Sequence, residues 1–179
     1  MLAINDTQLV ILDIQGKLSE IVYQSEQVLK GSSQLIQGSR LLNLPIVWAE
    51  QTPEKLGATH SSLVPHLAGL SPLSKATFSA YRTEAIAKAI EDNVRKQVLL
   101  IGVETHICIY QTTADLVKAG YEVFVVADAV SSRTMENKNI GLKMVKQAGG
   151  KISCVEGALF SLLGGSTHEK FREIAKLIK

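Results

Sequence analysis

Apolar, β-prone runs alternate with helical periodicity along the whole chain. Gln8–Ile14 is a strand run of the fully buried kind. Ser25 reads as a helix N-cap, with Val28, Leu29, Ser32, Leu35, Ile36 and Leu42 following at roughly helical spacing. Pro45–Glu50 predicts a second strand. Thr83 is placed to cap a helix with Ala85, Ile86, Ala89 and Ile90 on one face. Gln97–Gly102 is a third strong strand, and Thr105–Ala119 predicts a helix closed by Gly120. Tyr121–Ala127 is a fourth strand, followed by a helix from Thr134 to the pair Gly149-Gly150. Lys151–Val155 is a weaker strand, with Cys154 inside it as a core residue. The last helix carries Phe171, Ile174, Ala175 and Ile178 on one face.

Continuously apolar strands separated by helices imply a parallel sheet covered on both faces, and so a three-layer α/β sandwich. The least regular stretch is Gln51–Ala80, with a possible short strand ending at Ser74. It holds Pro53, Pro65 and Pro72, and long loops in compact domains tend to be functional.

Composition narrows the picture without naming a function. The 179 residues are 46% hydrophobic and 20% charged, which excludes a mainly disordered chain and fits one domain over 1–179. Lys+Arg 19 against Asp+Glu 17 leaves a net charge of +2, so nucleic acid is not the expected main partner. Two distant cysteines, Cys108 and Cys154, make no disulfide framework and suggest a reducing compartment. Met1–Asp6 carries no Lys or Arg, and the apolar run Leu9–Leu12 stops at Asp13. No stretch approaches the roughly 20 apolar residues of a membrane span. The expected location is cytoplasmic, with no membrane partner.

In open α/β sheets ligands bind beyond the carboxyl ends of the strands. Asp13 closes the first strand, Cys108 follows the strand ending at Gly102, and Lys75 follows the possible strand at Ser74. Taken singly, each has an ordinary reading: Asp13 as a turn residue, Cys108 as core, Lys75 as a solvated charge. Position changes the weighing. A cysteine in a first helical turn feels the helix dipole, which favours thiolate. A carboxylate could take the thiol proton, and a lysine could keep that carboxylate ionised. His106 is close in sequence to Cys108, but i and i+2 face different sides of a helix. No dinucleotide fingerprint, P-loop, G-x-S-x-G elbow or paired-histidine motif occurs.

These residues resemble the isochorismatase-like cysteine hydrolases. Leu12-Asp-Ile-Gln15 is similar to that family's first-strand motif, Ser74–Ser79 to its lysine segment, and Gly102–Cys108 to its nucleophile segment. Ala49–Gly57, Asp128–Arg133 and the tail Phe171–Lys179 resemble the isochorismatase domain-containing subgroup. The resemblance implies a six-stranded, mainly parallel sheet and an Asp13–Lys75–Cys108 triad. Cys108 would attack a carbonyl-type carbon and form a thioester. Asp13 would act as general base and acid, supported by Lys75. The backbone N–H groups of Glu104 and Cys108 would form the oxyanion hole, with a cis bond between Val103 and Glu104. Nicotinamidases of the superfamily hold a metal after the second strand. Here Glu50 and Thr52 fall near those positions and His60 is the only nearby histidine, so no metal and no other cofactor is expected. Isochorismate hydrolysis itself needs no cysteine, so Cys108 points to acyl chemistry on a small amide-like molecule. The candidate pocket residues are Gln15, Glu50, Phe78, Glu104 and Tyr110. A homo-oligomer is implied by the resemblance alone. A silent binding or scaffold protein and a thiol redox protein using Cys108 are the rival readings.

Overall fold

A strand that is apolar at every position needs cover on both faces, and β1 (Thr7–Leu12) is buried at all six positions. The computed structural model describes residues 1–179. It sets β1 inside a six-stranded sheet with β2 (Ile46–Gln51), β3 (Leu73–Lys75), β4 (Gln97–Val103), β5 (Glu122–Ser131) and β6 (Lys151–Ser153). The order is β3-β2-β1-β4-β5-β6, and every pairing is parallel.

Alternation along the central strands divides the core in two. Leu9 and Ile11 of β1 and Leu99 and Ile101 of β4 face α2 (Ser25–Leu41), α7 (Val155–Leu163) and α8 (Phe171–Ile178). Val10, Leu12, Val98 and Leu100 face the opposite way, against Ile86 and Ile90 of α4 (Glu84–Asp92), Leu116 of α5 (Tyr110–Lys118) and Val145 of α6 (Met135–Gln147). The result is the three-layer α/β/α fold expected from the pattern. Truncating a buried leucine such as Leu100 to Ala would cost about 2–5 kcal/mol.

Chain order reverses between β1 and β4, and their carboxyl ends form the switch point where α/β folds bind ligands. A glycine lets these two ends approach. Gly102 has φ 130°, and a Cβ there would sit 1.9 Å from the Leu12 carbonyl oxygen.

Several local expectations are corrected. The helix expected over Thr105–Ala119 is two pieces: a π-helical turn, Thr105–Ile109, and then α5. Two short helices, α1 (Gly16–Ile21) and α3 (Pro53–Leu56), stand where no helix was predicted. The sixth strand ends at Ser153, and Val155 opens α7. Cys154 is therefore not core: it is exposed and caps α7, its Sγ accepting from Gly157 N at 3.3 Å.

Candidate active site

Three strands deliver the predicted reactive residues to one point. Beyond the end of β1, Asp13 adopts φ 59°, a left-handed conformation that Asp tolerates better than most side chains. Its N–H donates to Ala49 O at 3.1 Å and its carbonyl accepts from Gln15 N at 2.9 Å, which fixes the turn. Lys75 ends β3, paired in register with Gln51 of β2. Its ammonium lies 2.8 Å from Asp13 Oδ2 and 2.6 Å from Gln51 Oε1. It also donates to Thr77 O at 3.2 Å and sits 3.7 Å from Cys108 Sγ.

Cys108 sits in the π-helical turn after β4, an irregularity found often at functional sites. The turn is held from outside. Thr105 N donates to Ser132 Oγ at 3.1 Å, and His106 Nδ1 lies 2.9 Å from the same hydroxyl. Gly141 of α6 packs against its backbone, where a Cβ would meet His106 N at 2.6 Å. Ile107 N and Ile109 N both donate to Glu104 O, at 3.1 and 3.3 Å; the Cys108 N–H does not share that acceptor. The Val103–Glu104 peptide bond is cis, as the resemblance implied.

Both members of the Asp13–Lys75 pair are buried. Burial raises the Asp13 pKa, and the Lys75 charge opposes the rise. The other carboxylate oxygen, Asp13 Oδ1, is buried with no hydrogen-bond partner. Burial also pushes the Cys108 thiol up to about 12, with the Asp13 charge adding to the rise and Lys75 opposing it. Burial and the Asp13 charge thus act against the thiolate that the helix dipole would favour. Desolvation disfavours the charged form, and Cys108 precedes α5 rather than opening it. Burial thus pushes both Asp13 and the Cys108 thiol toward their protonated forms, and the Lys75 ammonium between them opposes both shifts.

Asp13 and Cys108 line a cavity of about 220 Å³. Its apolar walls are Leu18, Leu56, Phe78, Val103 and Ile107, and its remaining polar members are Gln51 and Glu104. Of the five pocket candidates, Phe78 and Glu104 line it, and Phe78 is 55% exposed at the rim. Glu104 Oε1 accepts from Arg133 N and Nε, both at 3.1 Å. Gln15, Glu50 and Tyr110 do not line it. Gln15 Nε2 donates to Gln51 O at 2.9 Å and Gly57 O at 2.7 Å, while its Oε1 accepts from Gln51 N at 2.7 Å. Glu50 Oε1 accepts from Thr59 N and Oγ1, both at 2.7 Å. Tyr110 packs against the core beneath α4–α6. Gln15 and Glu50 therefore clasp the segment that carries Leu56 over the site. Sequence reasoning missed Leu18, Gln51, Leu56, Val103 and Ile107 as lining residues; of these, Gln51 and Val103, at strands' carboxyl ends, carried a usable signal.

His60 Nδ1 lies 2.8 Å from Ser62 Oγ, and no three His, Cys, Asp or Glu side chains come together as a metal-binding group.

Residues 7–157 match the family model described as the isochorismatase domain. The chain belongs to the isochorismatase family. Isochorismatase domain-containing protein 2 of Bos taurus is 38% identical over 176 residues, covering 97% of this chain and 83% of the relative. The secreted isochorismatase effector Isc1 of Phytophthora sojae is 36% identical, covering 96% and 83%. Among solved structures, the MAR1 ribonuclease of Caenorhabditis elegans superposes with TM-score 0.93 at 34% identity, covering 99% of this chain and 91% of that one. The YcaC gene product of Escherichia coli, an octameric hydrolase of unknown specificity, gives TM-score 0.93 at 20% identity, covering 99% and 88%. That last likeness concerns the fold alone. The chain thus has the isochorismatase-family hydrolase fold, and no helix is long and apolar enough to cross a membrane.

Proposed function

We propose that the protein is a metal-independent cysteine hydrolase cleaving the C–N bond of a small amide-like substrate through a thioester on Cys108. The observation that carries this reading is the meeting of Cys108, Asp13 and Lys75 at one end of the cavity. There, Lys75 Nζ is 2.8 Å from Asp13 Oδ2 and 3.7 Å from Cys108 Sγ, and Asp13 Oδ1 is without a partner.

In the first half-reaction Asp13 Oδ1 takes the thiol proton as sulfur bonds to the carbonyl carbon. The carbonyl oxygen gains the negative charge, facing the N–H groups of Glu104 and Cys108. Asp13 returns the proton to the nitrogen, the C–N bond breaks, and the amine leaves a thioester. In the second, Asp13 takes a proton from water, the resulting hydroxide adds to the carbonyl, and the sulfur departs to recover its proton. Lys75 keeps Asp13 ionised against the cost of its burial. A base beside a protonated thiol suits this scheme, because the nucleophile forms only when substrate is present to receive it.

The ribonuclease name of the nematode relative invites a phosphodiester reading; the lining of this cavity, with no Lys, Arg or His, lacks the cationic side chains that make many phosphate contacts and supports the amide reading better. Assembly into a homo-oligomer draws support from the octameric E. coli protein. The cytoplasmic expectation rests on two unpaired cysteines and stands beside a relative named as secreted.

The test is a screen of small amides and esters on wild type beside Cys108→Ala, repeated with EDTA. Turnover lost in the variant and unchanged by EDTA supports the reading. Turnover surviving in Cys108→Ala, or lost to EDTA and restored by zinc, refutes it.

A further inference from the structure

One hydroxyl outside the cavity holds the turn that carries Cys108. β5 is the longest strand of the sheet, and its register with β4 shifts so that Val130 stands opposite Gly102 and Ser131 opposite Val103. Ser132 and Arg133 therefore run on beside Glu104 and Thr105. Arg133 N and Nε donate to Glu104 Oε1, both at 3.1 Å. Ser132 Oγ accepts from Thr105 N at 3.1 Å and lies 2.9 Å from His106 Nδ1. Ser132 and Thr105 are fully buried. The hydroxyl has one proton, and Nδ1 of a neutral imidazole can accept it while the Thr105 N–H takes a lone pair. All three groups are then matched. Two further bonds tie the same place to the link after α1. Tyr23 N donates to Ser132 O at 2.8 Å, and Ser131 Oγ donates to Tyr23 O at 2.5 Å. α6 backs the turn through Gly141, where even a Cβ would meet Thr105 C at 2.6 Å.

We infer that Ser132 is a positioning residue for the nucleophile turn, with His106 orienting its hydroxyl. This rests on the hydrolase reading above and goes beyond it. Thr105 stands between Glu104 and Cys108, the two residues whose N–H groups face the oxyanion in that reading. A tether at Thr105 therefore sets how both donors and the sulfur stand relative to Asp13. Acylation needs those groups in fixed relation.

The test compares two reactions of the same sulfur in the full chain, in a Cys154→Ser background. para-Nitrophenyl acetate acylates the thiol: an S–C bond forms at the carbonyl, the C–O bond to nitrophenolate breaks, nitrophenolate leaves with the electron pair, and the thiol proton passes to Asp13. This reaction develops an oxyanion. Iodoacetamide alkylates the thiol: an S–C bond forms, the C–I bond breaks, iodide leaves with the electron pair, and the proton passes to Asp13 or buffer. This one develops none. Acylation is followed by first-turnover release of nitrophenolate and alkylation by mass spectrometry. Ser132→Ala should lower the ratio of acylation to alkylation rates by about 10–100-fold, because a misplacement of about 1 Å costs on the order of 10²-fold. Asn and Leu have nearly the same size and shape, and only Asn offers an acceptor where His106 Nδ1 lies. His106→Leu should lower the ratio in the same direction, and His106→Asn should restore it. Where Ser132→Ala fails to fold by circular dichroism, the His106 pair decides alone. A wild-type ratio in folded Ser132→Ala or in His106→Leu overturns the inference and leaves the hydrolase reading intact. So do two rates that fall together, which mark a merely structural role, and a His106→Asn variant that behaves as His106→Leu. A wild-type Cys108 that para-nitrophenyl acetate does not acylate refutes the hydrolase reading and this inference with it.

Discussion

The two cysteines occupy comparable places and have opposite surroundings. Each follows a strand of the same parallel sheet at its carboxyl end, and each lies where a helix begins: Cys108 in the turn between β4 and α5, Cys154 between β6 and α7. Yet Cys108 is buried against a carboxylate and an ammonium, whereas Cys154 is exposed and its sulfur hydrogen-bonds the N–H of Gly157. The difference comes from strand order. β4 is flanked by β1, and beyond β1 lie β2 and β3. Their carboxyl ends add Asp13, Gln51 and Lys75 to whatever β4 presents. β6 is an edge strand with β5 as its single neighbour, and the one carboxylate that β5 brings to this helix start, Asp128, accepts from Val155 N at 2.9 Å and makes no hydrogen bond to the Cys154 sulfur. A helix start thus does not by itself make a reactive thiol. A central strand beside the switch point gathers the groups that can.

The largest expected effect tests that contrast directly. Cys108→Ala should reduce turnover to background, a loss on the order of 10⁴-fold or more, as removal of a covalent nucleophile does. Cys154→Ser should leave turnover unchanged. Steady-state rates on any amide found in the screen decide it, and a variant Cys108→Ala with substantial activity breaks the comparison at its root.

Next come the groups supplied by the neighbouring strands. Asp13→Asn and Lys75→Ala should each lower kcat by about 10²–10⁴-fold, the range for acid–base roles. Lys75→Ala also leaves a buried carboxylate unpaired, which costs about 3–5 kcal/mol. Its stability must therefore be measured by chemical denaturation and its fold by circular dichroism. Lys75→Met, which retains the buried stem, separates lost packing from lost charge. A folded variant with wild-type rate removes that residue from the mechanism.

The convergence of Asp13, Lys75 and Cys108 was legible in the sequence because each lies at or near a strand's carboxyl end. The strands were legible because burial on both faces makes them apolar throughout. The elements around them were not. α1 and α3 are six and four residues long, too short to display a helical period. α7 starts Val-Glu-Gly, and its capping Cys154 is a poor helix signal, so Val155 read as the end of a strand. Gln15 and Glu50 have the polarity and placement of pocket residues. Their distinction is that their hydrogen bonds go to the Gln51–Thr59 segment, a tertiary pairing with no trace in local pattern. Leu18 and Leu56 reach the cavity only because of that pairing. The upward push on the thiol escaped for a related reason: it comes from burial at Cys108, and burial is a property of the assembled site.

A smaller effect sharpens the electrostatic half of the comparison. In a Cys154→Ser background only Cys108 reports, and its thiolate formation can be followed by ultraviolet absorbance against pH. Burial and then the Asp13 charge hold this thiol up at about 12. Asp13→Asn removes the second cause and keeps the first. The midpoint should therefore move to lower pH, yet stay above the value near 8.5 of a free thiol. A midpoint that stays put means that Asp13 does not act on the thiol; one that rises reverses the sign argued here.

The smallest expected effect lies at the other cysteine. Cys154 caps α7 with φ −131° and ψ 164°, the extended conformation suited to an N-cap, but sulfur accepts a hydrogen bond weakly. Serine is among the preferred N-cap residues, and its oxygen is the better acceptor for Gly157 N. Cys154→Ser should therefore stabilise the protein by a few tenths of a kcal/mol. In a chain of 179 residues that amounts to about 1–2 °C in Tm, readable by calorimetry. The same one-atom exchange at Cys108 should remove activity, because hydroxyl is a much weaker nucleophile than thiol and Asp13 is then the only help it has. A Cys154→Ser variant that loses stability would show that the sulfur makes apolar contacts worth more than the cap. One that loses turnover would show that the two helix starts are not independent, and the contrast between a convergent central strand and an isolated edge strand would fall.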